Sequence, residues 1–258
     1  MQTRILGAHN LSSSETECVS LLVDDVLALD AGCLTAALSF AEQSRLAAVF
    51  LSHRHYDHIR DIPALGLNLY RLATSTEVFC GEEVQNTLVT YLLNGDVYPP
   101  LHEIPSEKPA LRFNRIEANS SVTVGRHVVT PRLVNHVNHT LGFEVQDNNG
   151  RILFYTSDTG PLPDDFWKDI TPHVLVIEVT APNSQTEFVR AAGHLTPSLL
   201  EKELTRFRGF HGSLPRILTV HMDPLLENGG TLRAELEEVA RRLDADIQMA
   251  HEGMELEV

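Results

Sequence analysis

The sequence predicts an α/β fold of mixed α+β character, a single domain over residues 1–258 with two sheets sandwiched between helices. Two observations predict it. Strands lead, strands interspersed with helices follow, and both halves of the chain show this mixture. The short continuous apolar runs AAVFL (47–51), ILFYT (152–156), VLVIEV (174–179) and RILTV (216–220) read as buried strands. No linker composition divides the chain.

Taken in order, RIL (4–6), CVSLLV (18–23) and VLALD (26–30) read as strands, with turns at Ser12–Ser14 and Asp24–Asp25. Residues 34–46 are expected to be helical and to lead into the strand 47–51. A helix follows over 62–72, with Asp61 at its N-cap. Val84, Leu88, Tyr91 and Leu92 fall at helical spacing before Gly95, a C-cap residue. Residues 97–109 read as loop. Strands are expected at 121–124, 127–134 and 142–147, and Asn148–Asn149–Gly150 is a hairpin turn. Thr196 and Pro197 open a helix over 197–207. Leu232, Leu236, Val239, Ala240 and Leu243 make one apolar stripe on a helix over 232–243. DIQMA (246–250) and MELEV (254–258) are expected to close the chain as a strand pair.

The composition excludes several classes. With 258 residues and 43% hydrophobic content, a sizeable core can be buried. No apolar run reaches the ~18 residues of a membrane span, and the N-terminus shows no signal-like apolar stretch, so a cytoplasmic protein is expected. A net charge of −15 disfavours stable nucleic-acid binding, which relies on Lys and Arg at phosphates. Cys18, Cys33 and Cys80 are odd in number and far apart, which fits buried reduced thiols.

The chemistry starts at LSHRHYDHIRD (51–61), directly after a buried strand. It offers His53, His55, Asp57 and His58. Partners stand at or beyond other strand ends: His136 and His139 in NHVNHTLGF, Asp158 after ILFYT, and His221 after RILTV. Imidazole and carboxylate are ligands for zinc, manganese or iron. Ligands crowded into one short loop serve two neighbouring ions with less strain than one, and a carboxylate such as Asp158 can bridge them. His102, His127, His173, His211 and His251 lack ligand spacing. Trp167 reads as a packed helix residue, and Glu235, Glu237, Glu238, Arg241 and Arg242 as a solvated helix face.

HxHxDH with these downstream partners resembles the metallo-β-lactamase superfamily of hydrolases, from LALDAG (27–32) to the terminal AHEGMELEV. The resemblance implies a four-layer αββα sandwich with two divalent metal ions, zinc first, with manganese or iron as alternatives. It assigns His53, His55 and His136 to one ion, Asp57, His58 and His221 to the other, and Asp158 to both. His139 remains a rival to His136, which is preferred because it stands six residues before Gly142, as the metal ligand of the related phosphodiesterases that the chain resembles stands before its glycine. Asp30 in LDAG would orient a ligand imidazole.

The second histidine of the motif, His55, favours hydrolysis over the redox branch of the superfamily. Glu178 in VIEVTAPNS and His194 in AAGHLTP resemble the Glu and His-x-Thr motif of ribonuclease Z and the related cyclic-nucleotide phosphodiesterases. Phosphodiester cleavage expels an alkoxide, and a carboxylate-held histidine can protonate it. The long tRNA-clamping arm of ribonuclease Z has no counterpart between His136 and Asp158, which favours a small anionic phosphodiester such as a cyclic nucleotide. The expected function is a dinuclear metal-dependent phosphodiesterase acting by attack of a metal-bridging hydroxide. Asp57, His194 and Glu178 are the catalytic candidates. The alternatives are a lactonase or thioester hydrolase of the same fold and a tRNA 3′-processing endoribonuclease. His9, Asn10, Asn135 and His139 read first as plain loop polarity beside the pocket. A homodimer is compatible with the resemblance.

Overall fold

The computed structural model describes residues 1–227 and 229–258. In chain order its strands begin with β1 (Gln2–Gly7), β2 (Ser20–Val23), β3 (Leu27–Leu29), β4 (Ala48–Leu51), β5 (Thr76–Cys80) and β6 (Leu111–Arg115). β7 (Val122–Val124), β8 (His127–Leu133), β9 (Leu141–Gln146) and β10 (Ile152–Tyr155) follow. The last are β11 (Val174–Glu178), β12 (Arg216–Val220), β13 (Ile247–Met249) and β14 (Glu255–Glu257). One sheet has the order β14-β1-β2-β3-β4-β5-β6 and the other β13-β12-β11-β10-β9-β8-β7.

Alternation along a strand builds the layers. On β4, Ala48 and Phe50 join the core shared with the second sheet. Val49 and Leu51 point the other way and pack with Leu34, Ile62, Leu65 and Leu69 of the outer helices. Phe50 meets Phe143 of the opposite sheet edge-on, with ring centroids 5.5 Å apart. Leu199, Leu200, Leu204, Leu232 and Leu236, on the helices Pro197–His211 and Thr231–Leu243, pack with the second sheet's core residues. The result is helix, sheet, sheet, helix, as expected. No helix among the described residues is long and apolar enough to cross a membrane.

Three expectations need correction. The helix expected over 34–46 is two short pieces, Leu34–Ala37 and Phe40–Gln43. Ser39 breaks it by starting the second piece with a capping box: its side chain accepts from the Glu42 amide, and its amide donates to the Glu42 carboxylate. The two C-terminal strands do not pair with each other. β13 lies parallel to β12, and β14 antiparallel to β1, so each closes an edge of a different sheet. Two strands also go unread in the sequence, β5 and β6. Both carry outward polar residues, and Glu77 on β5 accepts from Arg112 Nε on β6 at 2.8 Å.

Caps also differ in detail. Asp61 sits at the N-cap of Ile62–Arg71 but makes no cap bond. Its carboxylate instead accepts from the Thr35 amide at 2.6 Å and the Thr35 hydroxyl at 2.8 Å, tying two helices together. Thr196 likewise occupies an N-cap without capping, ahead of Pro197. All three cysteines are buried and free of disulfides.

Trp167 is fully buried in a short 3-10 turn, Phe166–Asp169. Its Nε1 donates to Glu203 Oε2 at 3.0 Å, and Glu203 also accepts from the Leu162 amide and from Arg206. Trp167→Ala opens a large cavity and removes a donor from a buried carboxylate. A stability loss of about 3–5 kcal/mol is expected, read by urea unfolding with circular dichroism.

Candidate metal centre

Parallel pairing decides where the site lies. β10, β11 and β12 run side by side in one direction, so their C-terminal ends reach the same edge. That edge delivers Asp158, Glu178 and His221, while β4 delivers His53 from the facing sheet. After β4 the chain stays extended through His55 (φ −63, ψ 144) and then makes a single helical turn, Tyr56–Ile59. This change of conformation sends Asp57 and His58 in a different direction from His53 and His55.

Two clusters of ligand atoms share Asp158: His53, His55, His136 and Asp158, and Asp57, His58, Asp158 and His221; a third group among the described residues, Glu178, His194 and His221, adjoins the second through His221. In the first, His136 Nε2 lies 3.2 Å from His55 Nδ1, and His53 Nε2 lies 3.6 Å from Asp158 Oδ2. In the second, His58 Nε2 lies 3.2 Å from Asp158 Oδ1 and 3.4 Å from Asp57 Oδ2. His221 Nε2 lies 3.3 Å from Asp158 Oδ2. Tetrahedral bonds of about 2.0–2.1 Å put neighbouring donor atoms roughly 3.3 Å apart, so these separations match ligands of a common ion. Asp158 belongs to both clusters. The structure places His136 in the first cluster. His139 points away to Glu83, 3.3 Å off, with its side chain 76% exposed.

The residues fit metal ions on independent grounds. His53 Nε2, His58 Nε2 and Asp158 Oδ1 are buried and lack a hydrogen-bond partner among the described residues. Buried polar atoms seldom go unpaired. The second ring nitrogens of four ligand histidines are engaged. His58 Nδ1 donates to Asp30 Oδ2 at 2.8 Å and His136 Nδ1 to the Gly193 carbonyl at 3.0 Å. His221 Nδ1 pairs with Thr180 Oγ1 at 3.0 Å, and His53 Nδ1 with Ser52 Oγ at 3.0 Å. Fixing the proton on Nδ1 leaves Nε2 a lone pair for metal. The chain therefore carries a buried His/Asp constellation suited to a dinuclear metal site.

Asp30 is the hub beneath it. It also accepts from the Ser52 amide at 2.8 Å, the Ser52 hydroxyl at 2.9 Å and the Tyr155 hydroxyl at 2.8 Å. Through Ser52 and His58 it steers one histidine of each cluster. Asp30, Ser157 and His221 at the site adopt left-handed backbone (φ 59, 55 and 62), a conformation that is costly for residues with a side chain. Asp30→Asn is expected to weaken metal affinity by about 10–100-fold, measured by chelator competition.

Electrostatics follow the packing. Burial pushes the His53 imidazole well below its ordinary value, favouring the neutral form that binds metal. Burial alone would raise the Asp158 carboxyl, but His221, His58 and His53 hold it well below the carboxylate range. Burial would lower His194, yet the adjacent Glu178 carboxylate raises it to about 9.

Glu178 is fully buried and His194 partly so. His194 Nδ1 lies 2.7 Å from Glu178 Oε1, and its ring stacks on His221 at 5.0 Å and tilts against His136 at 4.7 Å. It thus touches one ligand of each cluster. Glu178 also accepts from the Thr159 and Leu195 amides and from the Thr180 hydroxyl, the same hydroxyl that holds His221.

The profile of the beta-lactamase superfamily domain matches residues 21–222. The chain belongs to that superfamily. No curated protein sequence matches it significantly. Among solved structures, the metallo-beta-lactamase fold protein YhfI from Bacillus subtilis is similar at TM-score 0.74 and 18% identity, covering 100% of this chain and 99% of that one. Unliganded yeast PDE1 is similar at TM-score 0.81 and 16% identity, covering 100% and 99%. The short form of human tRNase Z is similar at TM-score 0.70 and 16% identity, covering 100% and 99%. At these identities the likeness establishes the shared fold. Superfamily membership and the His/Asp constellation together describe a metal-dependent hydrolase.

Two of the other pocket candidates are tied to neighbouring segments. His9 Nδ1 pairs with Glu252 at 2.7 Å, and Asn135 Nδ2 donates to the Pro161 carbonyl at 2.7 Å. Asn10 Oδ1 is buried and without a hydrogen-bond partner among the described residues. Sequence reasoning missed Ser52, Thr180, Tyr155 and the Gly193 carbonyl. Only Ser52 and Thr180 carried a signal, each a hydroxyl within two residues of a candidate.

Proposed function

We propose that the protein is a dinuclear metal-dependent phosphodiesterase for small phosphodiesters, cyclic nucleotides foremost. The observation that supports this reading is the Glu178–His194 pair lying against one ligand of each cluster. Hydrolysis of activated esters needs no such pair, whereas a phosphodiester with an alkoxide leaving group does. Two divalent ions held by His53, His55, His136, Asp57, His58, His221 and Asp158 would supply Lewis-acid charge and acidify water.

The protein's residues then divide the work. Asp57 is more open than Asp158, its side chain 29% exposed against 2%, so it can accept a hydrogen bond from the attacking water. As the new O–P bond forms, the old P–O bond breaks opposite it. His194 gives its proton to the departing oxygen, and Glu178 keeps the ring in place and balances its charge. The acidic surface, net −15, disfavours a long polyanion as substrate.

The test is turnover of bis(4-nitrophenyl) phosphate and 3′,5′-cyclic nucleotides with Mn or Zn, beside lactones, thioesters and a precursor tRNA. A protein holding two ions per chain yet inert on every small phosphodiester would sink the proposal. Preferential lactone or thioester cleavage would replace it with that chemistry.

A further inference from the structure

A cavity of about 500 Å³ opens beside the metal centre and shares His53 with the first cluster. It is within the size range of pockets for small organic ligands. Its walls come from the segment after β5, the segment after β6 and the connection from β8 to β9. Val84, Ile116 and Leu141 give it an aliphatic lining. Its charges are Glu82, Glu83 and Glu117 against one guanidinium, Arg54.

These carboxylates are not equivalent. Glu82 pairs with Arg115 at 2.9 Å. Glu83 lies 3.7 Å from Arg54 and 3.3 Å from His139. Both stand in the first turn of the helix Glu82–Thr87, where acidic residues are favourable anyway. Glu117 lies outside any helix, is exposed at the cavity, and has no side-chain partner among the described residues.

A phosphate is repelled from such a lining and drawn to the metal clusters. The cavity is therefore suited to the organic end of the substrate. Ionised carboxylates only accept hydrogen bonds, so the edge presented to them must donate. Aliphatic walls suit a flat heterocycle better than a sugar rich in hydroxyls. The geometry points to a cavity that selects, among phosphodiesters, those carrying a heterocycle with an exocyclic amino group, with Glu117 as the acceptor. This rests on the phosphodiesterase reading for its substrate.

The experiment uses the metal-loaded protein and two substrate pairs, cyclic AMP against cyclic IMP and cyclic CMP against cyclic UMP. Within each pair an amino donor is replaced by an oxo acceptor. The amino member is expected to have a kcat/KM about 10–100-fold higher, the range for a hydrogen bond to a charged group. Glu117→Gln should narrow that ratio to below about threefold, because the amide can donate to an oxo group. Equal kcat/KM within both pairs, or a ratio that survives Glu117→Gln, overturns the inference. Should no cyclic nucleotide be turned over, calorimetric binding of adenosine against inosine and cytidine against uridine decides it, with the same preference expected and equal affinities overturning it. Failure on the nitrophenyl reporter counts against the phosphodiesterase reading alone.

Discussion

Asp158→Ala is expected to deplete both halves of the metal centre together. Asp158 is the one residue in both ligand clusters, and its oxygens lie 3.2–3.7 Å from His53, His58, His136 and His221. Without it, five imidazoles converge on the pocket with only the partly exposed Asp57 among the ligands to offset the charge of two cations. Elemental analysis should fall from about two ions per chain to well below one. Hydrolysis of bis(4-nitrophenyl) phosphate should drop by about a thousandfold or more, corresponding to several kcal/mol of lost charge stabilisation. Asp57→Ala is the contrast: it removes a ligand from the second cluster only, so about one ion should remain. Circular dichroism checks that each variant is folded. A folded Asp158→Ala protein that retains two ions would show that the carboxylate does not bridge.

His194→Ala is expected to divide substrates by leaving group. An alkoxide from a nucleoside needs a proton as it departs, and losing a positioned acid costs about 10²–10⁴-fold. Nitrophenolate leaves without one, so that substrate should lose less than about tenfold. Because His194 makes ring contacts with His136 and His221, metal content must be measured alongside. Equal losses on both substrates, at full metal occupancy, would remove His194 from the acid role and leave it as a packing residue.

The clusters were legible in the sequence because their chemistry is local and their supports are strands. His53, His55, Asp57 and His58 sit in one loop, and Asp158 and His221 follow continuous apolar runs. The spacing of His136 to Gly142 already favoured it over His139, and the ligand cluster contains His136. The fold puts the Gly193 carbonyl against His136 and Glu83 against His139. β5 and β6 escaped because Glu77, Arg112 and Asn114 pair with one another across the strands, so these segments read as polar. That miss mattered, since the segments following these two strands wall the cavity beside His53. The separation of β13 from β14 depends on which sheet edges are open, and no local pattern encodes that.

Glu178 reaches His194 directly and His221 through Thr180. One carboxylate thus has two dependants, which constrains how the site can diversify. A change at position 178 that alters the proton donor also disturbs a metal ligand, so it is pleiotropic. A lineage that no longer needs a leaving-group acid can discard His194 and keep its ions, but it cannot as easily discard Glu178. Selection for new substrates is therefore expected to act on position 194 and the cavity walls, with position 178 changing last. Saturation mutagenesis under selection for ester hydrolysis should show that order.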